Sequence, residues 1–198
     1  MTDEVLRSVA GGVATVTINR PERRNALSWA VIAELREVLA TLRDDPEVRV
    51  VVLTGAGDKA FCAGADLGGM ADGASFLELH EGRGGLADLF LDLWALGKPT
   101  IARVRGFALA GGMGLALACD FVVASDDAQF GTPEIDVGLI PALHFVQLPR
   151  LIGKHQAFGP LFLGDPFDAA TAFRMGLVSE VVPTCAHVDA RVGPRRQT

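Results

Sequence analysis

The sequence predicts an α/β fold built around a largely parallel sheet. Residues 48–53 form an almost wholly apolar run of β-branched residues without alternation, as expected of a buried strand in a parallel sheet, and 100–104 and 121–124 are two further core strands. Stretches with apolar residues at helical spacing separate these runs, and this strand–helix alternation is typical of α/β folds. The 23 glycines among 198 residues indicate many tight turns and close backbone approaches.

The first quarter of the chain predicts a hairpin followed by a helix. Residues 5–9 and 13–18 are strand-like runs, and Gly11-Gly12 supplies the turn between them. Ser28 is a suitable N-cap for a helix. Beyond Ser28, apolar residues recur at helical spacing, namely Ile32, Leu35, Leu39 and Leu42.

The middle of the chain predicts a Gly-rich loop over 55–69 and then a helical stretch from about 75 to 96. Ser75 and Glu78 form a capping-box pattern at its start. Three glycines inside the stretch are expected to kink or split the helix, because glycine is a poor helix former: Gly82, Gly84 and Gly85.

The second half predicts further alternation of helices and strands. A small, apolar helix is expected over 108–118, and a short helix opens at Thr132-Pro133-Glu134, with proline in its first turn. Helix and breaker alternate over 144–163, and the last strand covers 177–182. Residues 1–183 therefore form one core, whereas the tail 184–198 carries no periodicity and is expected to be disordered.

Composition and charge exclude several functional classes. The net charge is −6 and the pI about 5.2, so the chain has no global attraction for nucleic acid. No apolar run reaches the roughly 20 residues of a membrane span. Three widely spaced cysteines and an acidic start without an apolar leader favour a reducing, cytoplasmic location. No His/Cys cluster has metal-ligand spacing, so no metal site is expected.

The run from Gly55 to Ala60 matches a dinucleotide-binding fingerprint, G-x-G-x-x-A, directly after a predicted strand. In a nucleotide fold that motif must open a helix whose N-terminus faces the pyrophosphate. Here the following residues include Gly64, Gly68 and Gly69, which are poor helix formers. The sequence therefore disfavours a nucleotide site.

Two small-residue loops follow predicted strands and are candidates for binding an oxygen atom. The first is 61–67, and the second is 106–112, where a helix begins. A helix N-terminus offers free N–H donors, and two donor sites on neighbouring strands could bracket one oxygen, which is the geometry of an oxyanion hole. Taken in isolation, each loop is more often a plain turn.

The chain resembles the crotonase superfamily, also called the enoyl-CoA hydratase/isomerase family. The resemblance rests on an ordered set of motifs over about residues 5–183: Asn19-Arg20-Pro21, Asn25-Ala26-Leu27, 60–67, 106–112, Cys119-Asp120, 130–134, 138–141, 148–153 and Gly176-Leu177-Val178. It implies a crotonase-like spiral of ββα units that binds an acyl-CoA thioester. Family members carry further C-terminal helices, so the resemblance also implies that this C-terminal helical region is truncated here and the CoA site less enclosed.

By motif position, the resemblance assigns the thioester oxygen to the backbone N–H groups of Ala65 and Gly111. It also implies that two loops cradle the CoA moiety, with Arg23 and Arg24 available to its phosphates. The remaining CoA-binding residues are Ala26, Leu27, Ala63, Asp66 and Leu67. Coenzyme A is thus expected as part of the substrate, with no tightly bound cofactor.

Proton transfer is assigned by the resemblance to Glu134, while the place of a second family carboxylate is held by Gly114. His144 lies in a stretch that is small and Gly-rich in hydratases. It would either assist proton transfer near the acyl pocket or simply pack on its helix.

The missing carboxylate favours single-base chemistry, in which Glu134 shifts the double bond of an enoyl-CoA through a thioester enolate. One alternative is enoyl-CoA hydration, with Glu134 and a second group such as His144 handling the water. The other is non-catalytic binding of acyl-CoA. A homo-oligomer, a trimer or hexamer, is expected from the resemblance and from the apolar surface that the missing helices would leave.

Overall fold

The computed structural model describes residues 3–66 and 76–183, with the backbone alone for 76–83. Within these ranges, a six-stranded sheet carries the core and a four-stranded sheet of short strands lies beside it. No helix in the described ranges has both the length and the apolar character needed to cross a membrane. Leu67, Ser75 and the tail 184–198 lie outside the described residues.

The large sheet has the strand order β1-β2-β3-β5-β7-β10. Its strands are β1 (Val5–Ala10), β2 (Val13–Ile18), β3 (Val50–Gly55), β5 (Thr100–Val104), β7 (Phe121–Ser125) and β10 (Glu180–Val182). Only the predicted hairpin β1–β2 is antiparallel, and every other pairing is parallel. The class predicted from the sequence is confirmed, and Val51, Val52 and Leu53 are all buried, as expected of a strand covered on both faces.

The helices that cover this sheet are α1 (Trp29–Asp44) and α2 (Phe76–Trp94), which pack against each other. Ser28 caps α1 as predicted, because its Oγ accepts a hydrogen bond from the N–H of Val31 at 3.2 Å. The glycines do not split α2, as one of the two expected outcomes had it: the helix is continuous through all three. Packing against α1 and the core through Leu89, Phe90 and Leu93 outweighs the low helix propensity of glycine.

The small sheet has the order β4-β6-β8-β9, and its strands are β4 (Ala60–Cys62), β6 (Phe107–Leu109), β8 (Gln129–Gly131) and β9 (Phe167–Asp168). β4, β6 and β8 run parallel, so their carboxyl ends meet at one edge. β4 directly follows the turn after β3, so the G-x-G-x-x-A match does not open a helix as it would in a nucleotide fold. The single helix predicted over 108–118 is instead β6 followed by a shorter helix, α3 (Gly111–Leu117).

The remaining helices close the carboxyl edge of the small sheet. A 3-10 helix spans Pro133–Val137, and α4 (Ala142–Ile152) and α5 (Lys154–Leu163) follow it and pack against each other. α6 (Ala169–Met175) then leads to β10. α4 also contacts α3, and this contact brings the 3-10 helix, α3 and α4 together.

Candidate active site

The candidate active site lies at the carboxyl edge of the small sheet. Ala65 follows β4, Gly111 follows β6 and Glu134 follows β8, so three neighbouring parallel strands deliver the three predicted residues to one edge. Ligands of parallel α/β sheets bind outside the carboxyl ends of the strands, for the same topological reason. The arrangement places these three residues along the same edge of the small sheet.

The amide of Ala65 faces away from the loop with which its segment pairs. Residues Leu27 and Ala65 form a parallel β-bridge, in which the N–H of Leu27 donates to Gly64 and the N–H of Asp66 donates to Leu27. These two bonds flank Ala65, and no backbone hydrogen bond recorded between described residues uses the Ala65 N–H. Within the described ranges, the Ala65 N–H thus has no backbone acceptor.

The amide of Gly111 begins α3 directly beside this loop. A Cβ added at Gly64 would lie 3.4 Å from the nitrogen of Gly111 and 2.8 Å from the Cβ of Ala110, so only a glycine permits this approach. Gly111 is the first residue of the helix, where an N–H has no intrahelical acceptor. The two predicted donors thus belong to segments in van der Waals contact.

Ala110 adopts a strained backbone conformation between β6 and α3. Its φ is 49° and its ψ −132°, a combination that non-glycine residues rarely adopt. The N–H of Ala110 donates to the carbonyl of Gly131 at 2.9 Å, which ties this turn to the end of β8. The strain and the tie together orient the peptide that carries the Gly111 N–H.

Glu134 lies on the 3-10 helix that follows β8, with Pro133 at its start. Its side chain is 16 % exposed, and burial raises its pKa above the usual glutamate value, opposed by a backbone hydrogen bond. The neighbouring apolar residues Ile135, Leu139 and Ile140 do not cause this burial, because all three are exposed. The carboxylate instead points toward α4.

His144 of α4 lies beside Glu134. Its Nδ1 is 3.7 Å from the Oε1 of Glu134, and the ring is only 2 % exposed. Burial lowers the pKa of His144 to about 4, although the carbonyl of Ala110 favours the protonated ring. The imidazole is therefore neutral at pH 7, with one donor and one acceptor nitrogen.

The loop predicted to hold the CoA moiety is built around Asn25. Arg24 and Asn25 both have positive φ, and the buried amide of Asn25 donates to the carbonyls of Ala56 and Ala60 while accepting from the N–H of Arg20. These bonds hold the loop against the turn before β4, and the N–H of Ala63 completes the contact by donating to Arg24. Ala26 and Leu27 are buried beneath it.

Of the charged residues in the family motifs, some are paired with a neighbouring side chain and others are exposed. Arg23 and Arg24 are exposed and form no ion pair with a described residue, while the Arg24 guanidinium lies 5.9 Å from the centroid of the Phe107 ring. The carboxylate of Asp66 is 3.0 Å from the guanidinium of Arg20 and so has a structural partner. Asp120 likewise accepts from the N–H and hydroxyl of Thr100.

Sequence reasoning missed three residues that line this site. Leu86 and Phe90 of α2 lie against Gly111 and Gly114 of α3, and Gln147 of α4 donates to the carbonyl of Gly114 at 3.1 Å. The spacing of three residues between His144 and Gln147 places both on one face of a helix and could have indicated Gln147. No sequence pattern could have indicated Leu86 and Phe90, because apolar residues in a helix are most often ordinary core residues.

The sequence matches the family model described as enoyl-CoA hydratase/isomerase over residues 8–193. It is 42 % identical to the crotonyl-CoA hydratase of Syntrophomonas wolfei, over 86 % of this chain and 65 % of that protein. It is 41 % identical to the (E)-benzylidenesuccinyl-CoA hydratase of Thauera aromatica, over 93 % of this chain and 72 % of that protein. The chain thus spans about two thirds of the length of these relatives.

Solved structures agree with the sequence comparison. An enoyl-CoA hydratase from Bacillus anthracis superposes with a TM-score of 0.91 at 35 % identity, over 96 % of this chain and 73 % of that one. An enoyl-CoA hydratase from Mycobacterium smegmatis superposes with a TM-score of 0.90 at 39 % identity, over 96 % of this chain and 74 % of that one. The predicted crotonase-like fold is confirmed.

Proposed function

The chain belongs to the enoyl-CoA hydratase/isomerase family, and on this premise we propose that it adds water to 2-enoyl-CoA thioesters to form 3-hydroxyacyl-CoA. The observation that carries the proposal is the pair of polar side chains beside the two backbone donors. Glu134 and His144 approach within 3.7 Å of each other, and both are largely buried. In hydration a water molecule must be held and also deprotonated, and Glu134 is the group that can deprotonate it.

The substrate carbonyl would accept hydrogen bonds from the N–H groups of Ala65 and Gly111. As the oxygen of water bonds to C3, the C2–C3 π pair moves toward the thioester, and the carbonyl oxygen becomes an enolate oxygen. Two preorganised donors stabilise that charge more than they stabilise the neutral carbonyl. The contact between Gly64 and α3 supports this role because it holds the two amides side by side.

Glu134 would take the proton that water loses and return it to C2. The overall reaction then adds one hydroxyl to C3 and one hydrogen to C2, and leaves the carboxylate as it began. A pKa raised by burial suits this cycle, since a proton acquired by Glu134 is held long enough to be delivered. His144 is neutral and can contact the same water.

The CoA moiety would lie along the loop 23–27 and the segment after β4, over Ala26, Leu27, Ala63 and Asp66, with Leu67 next in the chain. Arg23 and Arg24 are exposed and carry no ionic partner among the described side chains, which leaves their charges available to phosphate groups. Coenzyme A would therefore enter as part of the substrate.

Double-bond isomerisation, which the sequence favours, is the second candidate. Its premise is that Gly114 leaves Glu134 without a second polar group, but His144 occupies that neighbourhood. The relatives named above are hydratases, and their names give the isomerase preference no support. A single base would still suffice for isomerisation, so both activities deserve measurement.

The test is incubation with matched 2-enoyl-CoA and 3-enoyl-CoA thioesters of several chain lengths, followed by mass spectrometry of the products. We expect 2-enoyl thioesters to gain the mass of one water. Conversion of 3-enoyl to 2-enoyl thioesters without water addition would make the chain an isomerase. Binding without any turnover would support a non-catalytic acyl-CoA-binding protein.

A further inference from the structure

The ring of His144 occupies the space into which any side chain at Gly114 would project. A Cβ added at Gly114 would lie 3.2 Å from the Nε2 of His144 and 2.8 Å from the Cζ of Phe90. Gln147, one turn further along α4, donates to the carbonyl of the same glycine at 3.1 Å. α4 therefore presses two polar side chains onto the backbone of α3 at a position where only glycine leaves room.

His144 and Glu134 each carry one buried polar atom without a protein partner. Neither the Nε2 of His144 nor the Oε2 of Glu134 has a hydrogen-bond partner among the described residues. Leaving such an atom unpaired costs about 1–3 kcal/mol, so a buried pair of them favours a small polar ligand. The two side chains also lie close to each other, with the Nδ1 of His144 3.7 Å from the Oε1 of Glu134.

We propose that His144 binds the reacting water beside Glu134 and thereby directs the enzyme toward hydration rather than double-bond migration. This inference rests on the proposed function and adds a residue that decides between its two candidate reactions. A neutral imidazole offers one donor and one acceptor, so it holds a water molecule without competing for the proton that Glu134 takes.

The two reactions differ in their need for His144. In hydration, Glu134 takes a proton from water, the water oxygen bonds to C3, and Glu134 returns the proton to C2. In migration, Glu134 takes a proton from C2 of a 3-enoyl thioester and returns it to C4, and no water enters. His144 keeps its own proton in both cases and touches a reacting atom only in hydration.

The experiment compares His144→Ala with wild type in two assays. Hydration of a 2-enoyl-CoA is followed by loss of the conjugated thioester, and proton exchange at C2 of a 3-enoyl-CoA is followed in deuterated buffer. We expect the ratio of hydration rate to exchange rate to fall about 10²-fold, the usual effect of removing one preorganised hydrogen bond. His144→Gln, which keeps a donor and an acceptor, should recover part of that ratio.

If the role of His144 is merely structural, hydration and exchange fall together in His144→Ala and their ratio stays unchanged. An unchanged ratio, with or without a loss of both rates, would overturn the inference while leaving the proposed function in place. Wild type that neither hydrates nor exchanges would overturn the proposed function itself. If His144→Ala does not fold, His144→Leu, which fills more of the same space without a donor or an acceptor, decides by the same ratio, with His144→Gln as its control.

Discussion

Glu134 and His144 have opposite pKa shifts, yet both shifts have the same cause. Burial penalises the charged form of each group, which raises the pKa of the carboxyl and lowers that of the imidazole to about 4. The site therefore favours a neutral histidine beside a carboxyl that accepts and releases a proton easily. This combination suits a cycle that begins and ends with the same protonation states.

The lowered pKa of His144 makes the stability of the fold depend on pH. An unfolded histidine binds a proton below its ordinary pKa of 6.5, whereas the folded one does so only near pH 4. The neutral His144 ring therefore contributes its full stability to the fold above pH 6.5, and this contribution is lost as the pH falls toward 4. Between pH 7 and pH 5 we expect wild type to lose about 2 kcal/mol more unfolding free energy than His144→Gln.

Urea unfolding of both proteins at pH 7 and pH 5 measures that difference. Glu134 faces His144 in wild type and remains in the variant, so its own titration is common to both proteins. An equal loss in the two proteins would mean that His144 is exposed to solvent rather than buried against α3.

The amide of Gly111 can be removed without removing the helix. Gly111→Pro deletes the N–H at the first helical position, where proline is tolerated. Loss of one oxyanion donor should lower turnover by about 10²–10³-fold. Gly111→Ala is the matched control, because it places the same Cβ against Leu86 but keeps the N–H. Steady-state kinetics that are equal for the folded proline and alanine variants would contradict the donor role.

At the scale of elements, the approach of α3 to β4 depends on Gly112. A Cβ added there would overlap the carbonyl oxygen of Cys62, which is backbone and cannot move aside. We expect Gly112→Ala to lower the free energy of unfolding by about 1–3 kcal/mol through overpacking.

Gly84 supplies the control for Gly112, because it lies in α2 with nothing within 4 Å of an added Cβ. Gly84→Ala should raise the free energy of unfolding by about 0.5–1 kcal/mol, since alanine is the better helix former. Chemical unfolding of the two variants and wild type tests both signs. A Gly112→Ala protein as stable as wild type would contradict the close packing of α3 on β4.

The long elements could be predicted from the sequence, but the small sheet could not. The hairpin, α1 and the strands β3, β5 and β7 carry five or more residues of readable pattern. β4, β6 and β8 are three residues long and β9 is two, which is too short for a period. These strands nevertheless position the site, because their common carboxyl edge brings Ala65, Gly111 and Glu134 together.

The same limit applies to the site residues. Glu134, Ala65 and Gly111 could be assigned through family motifs, and the structure brings their segments together. The location of His144 beside Gly114 could not be predicted, since it depends on how α4 packs on α3. The sequence therefore indicated a missing carboxylate and offered His144 as a candidate second group, whereas its place against Gly114 is visible only in the structure.

At the scale of the whole molecule, apolar side chains are exposed along the second half of the chain. They include Val137, Ile140, Leu151, Phe162, Leu163 and Phe173, and Ile140 is 73 % exposed. Where such side chains lie together, the exposed apolar surface is typical of an interaction site. We expect self-association, as a trimer or hexamer by resemblance, in light scattering at tens of micromolar protein. Ile140→Asp should lower the measured mass, and a wild-type monomer at those concentrations would contradict the expectation.

The central claim is that Glu134 drives the addition of water to an enoyl-CoA. The most direct measurement is the incorporation of ¹⁸O from labelled water into C3 of a short 2-enoyl-CoA, by wild type, Glu134→Gln and Asp136→Asn. Asp136 is exposed on the same 3-10 helix and controls for the loss of a carboxylate. We predict ¹⁸O in the 3-hydroxyacyl product of wild type and Asp136→Asn, and a rate lower by about 10²–10⁴ in Glu134→Gln. Equal incorporation by Glu134→Gln and wild type, or none by wild type, would contradict the claim.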